Sequence, residues 1–521
     1  MNKIPCEISE TQGSICNFPI THFSYHFQSI TMMLSVAALA ALLYLLYTVI
    51  STLRVLYYHP LSHIPGPTLW IAFPIFRHLA LMRGRQDIEL RALHQQYGEV
   101  VRFAPDEVSF ISAQAWRDIY GHGHKQLPKF KHSAANPQDI ISANDADHSR
   151  YRKAMSHAFS AKGLQAQEPI LNKYVDKLIA RLEHEATSRV PVDMVKWYNL
   201  TTFDLIGDLA FGQSFGGLEN SQYHFWVSTI FESIRAIQFV KVKDVYPMLF
   251  QFIKPFMSRD FASARQRQQD YSKVVVQKRL ANPEPSDLVD FVDSMLRHRG
   301  EKDGLSDEEL VANSSILVIA GSETTATLLS GVTFLLLKNP TAMKKLTHEV
   351  RTVMQSEEDI TFANATANLP YMLACLEEAF RRYPPVATGL QRVTTSPTLI
   401  SGYEIPPNTR VAVHQSAAYH SPLNFHQASH YIPERWLPSA KTDPHSPFYH
   451  DSRDVLQPFS VGPRNCIGRN LAYNEMRVIL ARLIWRFDLA LCPESHAWDD
   501  QKSYTLWEKP PLMCKVIPRT S

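Results

Sequence analysis

The sequence predicts a mainly α-helical protein with a smaller β region, preceded by one N-terminal transmembrane helix. Three observations predict it. An apolar span without formal charge runs through residues 30–53. Helix signals dominate the chain beyond Pro67, and β-prone runs are short and few. The 521 residues, 45% hydrophobic and 20% charged, are enough for a large globular core.

The N-terminal span comes first. Between Glu10 and Arg54 no residue carries a formal charge, His22 and His26 aside, and the stretch includes MMLSVAALAALLYLLYTVI. About 24 helical residues at roughly 1.5 Å each reach about 36 Å, enough to cross a hydrocarbon core of about 30 Å with some tilt. A cleaved signal peptide would have a shorter apolar region close to the first residue. Lys3 is the one Lys or Arg before the span, whereas Arg54, Arg77, Arg83, Arg85 and Arg91 follow it. Positive residues stay cytosolic. The expected layout is a lumenal tail over 1–29, an anchor over 30–53, a proline-rich hinge over 54–67 and one cytosolic domain over 68–521. The sequons at Asn199, Asn313 and Asn364 would then never meet the glycosylation machinery.

In the hinge, Pro60, Pro65, Gly66 and Pro67 make a stiff connection. Residues 99–103 and 108–112 read as two strands around Pro105-Asp106. Ser306 with Glu309 is a capping box, and the acidic turn after it opens a long helix. Residues 315–337 of that helix are apolar enough to span a membrane. Glu323 lies near their middle, however, and a central charge costs about 2.5–3.5 kcal/mol; a buried helix is expected. Asn339-Pro340 ends this helix and starts the next. Gly402, Pro406, Pro407 and Asn408 punctuate β-rich runs between Leu390 and Val413, and residues 471–486 are helical again.

The charge balance, 53 basic against 50 acidic residues, argues against nucleic acid as a partner. The six cysteines form neither a CxxC pair nor a zinc-like spacing. Cys466 stands apart, in a Gly/Pro turn directly before an apolar helix. There, free N–H groups, the helix dipole and nearby Arg464 favour a thiolate.

The stretch Phe459-Ser-Val-Gly-Pro-Arg-Asn-Cys-Ile-Gly468 resembles the haem-binding signature of the cytochrome P-450 superfamily at every fixed position. Ala320-Gly321-Ser322-Glu323-Thr324-Thr325 is similar to its oxygen-activation motif, Glu378-Ala379-Phe380-Arg381 to its Glu-x-x-Arg pair, and Pro433-Glu434-Arg435-Trp436 to the motif that completes that pair. The order is the family's, and the resemblance covers essentially the whole chain. The style of the hinge, RYPPVATGLQRV and PERWLP resembles fungal microsomal members that oxidise secondary metabolites.

The resemblance implies the cytochrome P-450 fold and a haem-thiolate monooxygenase. In that reading Cys466 is the iron ligand of haem b, and Glu323 and Thr324 pass protons to bound dioxygen. A hydroxyl bonded back to its own helix is expected of Thr325 instead. The haem carboxylates would pair with His148, Arg152, Arg392 and Arg464, His148 standing where the family often has Trp. Glu378, Arg381 and Arg435 would lock the haem-side loop and carry no chemistry. Substrate contacts would come from residues 125–139, 316–320 and 386–390, mostly apolar or small, which suits a lipophilic small molecule. With no Gly-x-Gly-x-x-Gly fingerprint, electrons from NADPH would arrive through a separate reductase. The implied location is the endoplasmic reticulum membrane, single-pass, with lipid around the anchor. Two other readings stay open: a haem-thiolate isomerase or dehydratase, and a membrane haem carrier or sensor.

Overall fold

The computed structural model describes residues 20–133, 135–253, 260–281, 290–297, 299–301 and 303–519. Most of the expected lumenal tail, with Cys6 and Cys16, lies outside the described residues.

The N-terminal helix, Ile20–Leu53, continues into a π-helical turn, Arg54–Tyr58. It belongs to a unit that ends at Ser62. From Met32 to Tyr58 its mean hydropathy reaches 2.3, with none of that window buried. Leu34, Leu42 and Leu45 are among the side chains left bare. A bare apolar helical surface of this kind suits a hydrocarbon solvent, which is the physical content of a membrane anchor. The other long apolar helix, Asp307–Lys338, is 72% buried over its equivalent window. It is a core helix, and its carboxylate at Glu323 is held inside protein.

His63–Ser521 forms the second unit, predominantly helical. The central helix Asp307–Lys338 opens with the Ser306–Glu309 capping box. Glu309 also takes two hydrogen bonds from Arg150 and one from Tyr151, fixing the helix start against Asp145–Met155. Asn339 caps the end of the central helix, and Pro340 begins Pro340–Val353. Along its length the central helix packs on Met194–Phe211. A Cβ on Gly321 would come within 3.2 Å of Ile206, so the missing side chain lets these two helices close.

The β structure is small. The strands Val100–Ala104 and Glu107–Phe110 pair antiparallel around the expected turn. Glu107–Phe110 runs parallel to Arg410–Val413, which pairs antiparallel with Arg392–Val393. A second sheet orders Val192–Asp193, Met513–Pro518 and Phe487–Leu491. It ties the end of the chain to the start of Met194–Phe211.

Glu378 and Arg381 sit three apart on the helix Pro370–Arg382, fully buried with Arg435. The Glu378 carboxylate accepts from Arg381 Nε and Nη2 (2.9 and 2.7 Å), Arg435 Nε (3.2 Å), the Ile432 N–H and the Trp436 indole. Arg381 spends its remaining donors on the carbonyls of Tyr419, Ala428 and His430. Arg435 also pairs with Asp451. Buried charges are tolerated when paired and hydrogen-bonded in this way. The cluster pins Pro433–Trp436 ahead of the cysteine loop, the structural role expected of it.

Candidate functional site

A cavity of about 310 Å³ lies between the central helix and the cysteine loop. Ile316, Leu317, Ala320, Gly321 and Thr324 form one wall; Phe459, Cys466 and Leu471 line it as well. Lys129, Val386 and Leu390 also line it, from the two segments expected to meet substrate besides the central helix, and Pro385 adjoins them.

The cysteine loop is built by backbone geometry. The Cys466 N–H donates to Phe459 O (2.9 Å) and the Asn465 N–H to Gly462 O (3.1 Å). Gly462 has φ +76°, and a Cβ there would stand 1.8 Å from Tyr120 O. No L-residue fits. The helix Arg469–Arg486 starts just past the loop, with Gly468 at its cap. Cys466 is exposed, and what it is exposed to is the cavity. With protein packed around the loop, burial pushes its thiol up, while the Gly468 N–H, Arg152 and Arg469 pull it down. Position at a helix start therefore favours the thiolate less than the sequence suggests, because desolvation outweighs it in the protein alone. Among the described residues, Cys375, Cys492 and Cys514 are also free; all three are buried.

Cations gather at one edge. His148, Arg152 and Arg464 line the cavity together with Lys129, which sequence reasoning did not single out. Arg152 is committed: it donates to Asn465 O (2.7 Å) and Asn465 Oδ1 (2.6 Å). It braces the loop, and it lines the cavity with further N–H donors beyond those two bonds. Arg464 pairs with Asp145 (2.6 Å) and donates to Ala143 O, leaving Nη1 buried without a partner. Arg392 is not among the residues lining the cavity; its guanidinium stands over the Tyr120 ring, 5.6 Å from the centroid, and its Nε lacks a partner. Burial, then Arg392 and Arg464, lowers Lys129 to about 7. Burial, then Arg464, lowers His148 to about 3. Burial and the positive charge of Arg464 thus hold the His148 imidazole neutral, and with the unspent donors of Arg464 and Arg392 this edge calls for anions.

Opposite the cysteine, Thr324 faces the cavity and donates its hydroxyl to Ala320 O (2.6 Å). This corrects the assignment between the two threonines: Thr324 is the one bonded back to its own helix. Thr325 also borders the cavity, its Oγ1 buried without a partner. It faces Glu475, which lines the cavity too, and opposes the rise that burial imposes on that carboxyl. The two side chains face each other without forming a hydrogen bond. Glu323 is not among the lining residues; its carboxylate points to Lys509.

The site fits a flat apolar macrocycle bearing two carboxylates and a metal that takes a sulfur ligand. Its walls are apolar, its one cavity-facing cysteine is presented by a loop, and Arg464 keeps an orphan N–H on the cationic edge.

Comparison with known proteins agrees with this geometry. A family model described as Cytochrome P450 matches residues 65–516. The chain is 56% identical over 488 residues to the cytochrome P450 monooxygenase olcB of Penicillium canescens, covering 94% of this chain and 99% of that one. It is 56% identical over 466 residues to the trichothecene C-4 hydroxylase of Trichoderma arundinaceum, covering 89% and 93%. The cytochrome P450 monooxygenase dtxS2 of Metarhizium robertsii is 44% identical over 473 residues, covering 88% and 90%.

Proposed function

The chain belongs to the cytochrome P450 family, and from that premise we propose which residues carry its chemistry and what it oxidises. It is a monooxygenase of fungal secondary metabolism, an oxidoreductase that uses haem and electrons from a reductase to oxidise a lipophilic small molecule. The finer reading is hydroxylation of a compact apolar molecule with haem b as the group and NADPH as the electron source. One relative is named for hydroxylation at C-4 of a trichothecene, and the apolar side chains Ile316, Leu317, Val386 and Leu390 on the cavity wall suit a compact apolar scaffold.

The chemistry that haem supplies when bound is cleavage of dioxygen, which a thiolate ligand favours. Cys466 would hold the iron. Arg464, His148, Arg152 and Arg392, with Lys129, would take the haem carboxylates, and Arg152 also keeps the loop in place through Asn465. Thr324 donates its hydroxyl hydrogen bond to Ala320 O while lining the cavity; its oxygen can still accept a hydrogen bond there, and turning the O–H away from Ala320 O would let it hand a proton to an acceptor in the cavity. Glu323, next in the chain, is the carboxylate that would replenish it. The apolar walls exclude water from this exchange. The domain reading stays as the sequence has it: tail 1–29, anchor 30–53, hinge 54–67, catalytic domain 68–521. In it the tail is lumenal, lipid surrounds the anchor in the endoplasmic reticulum membrane, and a cytosolic catalytic domain meets its NADPH-cytochrome reductase.

The observation that carries this reading is the placement of Cys466 and Thr324 on one cavity with cations at its edge. Its test is spectroscopic. The reduced, CO-bound protein should show the long-wavelength band for which the family is named. Cys466→Ala should abolish that band and Cys375→Ala, buried elsewhere, should keep it. Retention of the band in Cys466→Ala would sink the assignment. Reconstitution with a reductase and trichothecene precursors, beside the metabolite profile of a deletion strain, tests the substrate class.

A further inference from the structure

Glu323 is 1% exposed at its side chain and Lys509 3%. The Lys509 ammonium stands 2.5 Å from Glu323 Oε1 and donates to Thr327 Oγ1 at 2.7 Å. Thr327 lies one turn along the same helix, its hydroxyl 3.4 Å from the same carboxylate oxygen. Glu323 Oε2 has no protein partner. One oxygen is therefore clamped and the other is available to trade a proton.

The lysine is delivered to this place by a fixed segment. It follows the strand Trp507–Glu508, and the Trp507 indole donates to Pro384 O (2.7 Å). After it, Pro510 O accepts from the Trp498 indole (2.8 Å) and the Leu512 N–H donates to Asp193 Oδ1 (2.9 Å). A long flexible side chain whose backbone is tied on both sides can reach one spot and little else. Among the described residues the phenols of Tyr383 and Tyr223 also face Glu323; Tyr383 donates to Gln501 Oε1 and Tyr223 accepts from Asn199 Nδ2.

We propose that Lys509 is a positioning residue for the oxidation: its ammonium holds the Glu323 carboxylate beside Thr327, outside the cavity, and so sets that carboxylate's access to the proton exchanged at Thr324. This rests on the reading of Glu323 and Thr324 given above. Lys509 touches neither the cavity nor a reacting atom; it acts through Glu323. No atom is transferred to or from it.

The test uses full-length holoenzyme with its reductase, comparing the parent with Glu323→Gln, Lys509→Met, Lys509→Arg and the double variant Lys509→Met/Glu323→Gln. Product formed per NADPH consumed should drop about tenfold in Lys509→Met, at the low end of what a residue acting behind a metal site's own ligands changes, and Lys509→Arg should restore most of it. The double variant should couple no worse than Glu323→Gln alone, because the lysine has nothing left to position. A second readout needs no turnover. Lys509→Met leaves a buried carboxylate without its cation, so its melting midpoint should fall below the parent's, and the double variant, with no carboxylate left to pair, should recover most of that loss. If Lys509→Met does not fold, Lys509→Arg and the double variant still decide. Parental coupling in Lys509→Met, or a double variant well below Glu323→Gln, would overturn the proposal. Parental coupling in Glu323→Gln would instead overturn the reading beneath it.

Discussion

The guanidinium of Arg152 grips Asn465 twice, at its backbone carbonyl (2.7 Å) and at its side-chain oxygen (2.6 Å). Asn465 immediately precedes Cys466, so one arginine on Asp145–Met155 sets the position of a loop more than 300 residues away in sequence. The bidentate geometry needs the planar fork of arginine; a lysine offers one point charge instead. Arg152→Ala should lose about 1.5–3 kcal/mol from hydrogen bonds made by a charged donor and should release haem more readily. Arg152→Lys should restore little. Haem content per protein after gel filtration, and the denaturation midpoint, measure both effects. Full haem retention in Arg152→Ala would show that the loop stands without its brace.

Thr324 and Thr325 should separate cleanly on substitution. Thr324→Ala should still bind haem and still drive NADPH consumption, with product per NADPH reduced about 10–100-fold. The electrons should appear as peroxide or water. Thr325→Ala should change coupling less, since its hydroxyl faces Glu475 rather than Ala320 O. Peroxide and product measured side by side decide the matter. Equal coupling in parent and Thr324→Ala would remove Thr324 from the proton path.

Glu475 makes stability fall with rising pH. Burial pushes its carboxyl up to about 8, against the weaker pull of Thr325. The unfolded chain releases that proton near pH ~4.3. Between these values the folded protein holds a proton that the unfolded chain has lost, so stability drops as pH rises from about 4 to 8. Glu475→Gln, uncharged throughout, should flatten that slope. Melting midpoints of both holoproteins across the range test it, and parallel curves would refute it.

The N-terminal helix should hold the protein on membranes. Full-length protein should resist carbonate washing, and removal of residues 1–53 should release it with haem still bound. The expectation rests on a bare apolar surface from Met32 onward. If full-length protein washes off without detergent, the helix has another use.

Several features were legible because they are local. The apolar span, the Ser306–Glu309 box, the helix boundary at Asn339-Pro340 and the Glu378–Arg381 pair all involve residues within a few positions of each other, where backbone geometry fixes who meets whom. The loop from Phe459 to Gly468 was equally readable. Its one strict steric demand, at Gly462, is met by a glycine that the sequence displays.

The sequence by itself determined that a cysteine stands before a helix, that a carboxylate followed by a pair of threonines interrupts an apolar helix, and that basic residues recur at helical spacing on Asp145–Met155. It did not determine what any of these side chains touches. Glu323 meets Lys509 across 186 residues, Glu309 meets Arg150 across 159, and Lys129 borders the cavity beside His148 and Arg464. Which of Thr324 and Thr325 bonds back to the helix depended on where Glu475 and the cavity lie. Helical periodicity fixes the angle between two side chains on one helix, but the direction either one faces is measured against neighbours that only the packed chain supplies. Those neighbours also fix the cost of burying each charge, and so decide which groups are paired, which are neutral and which are left to act.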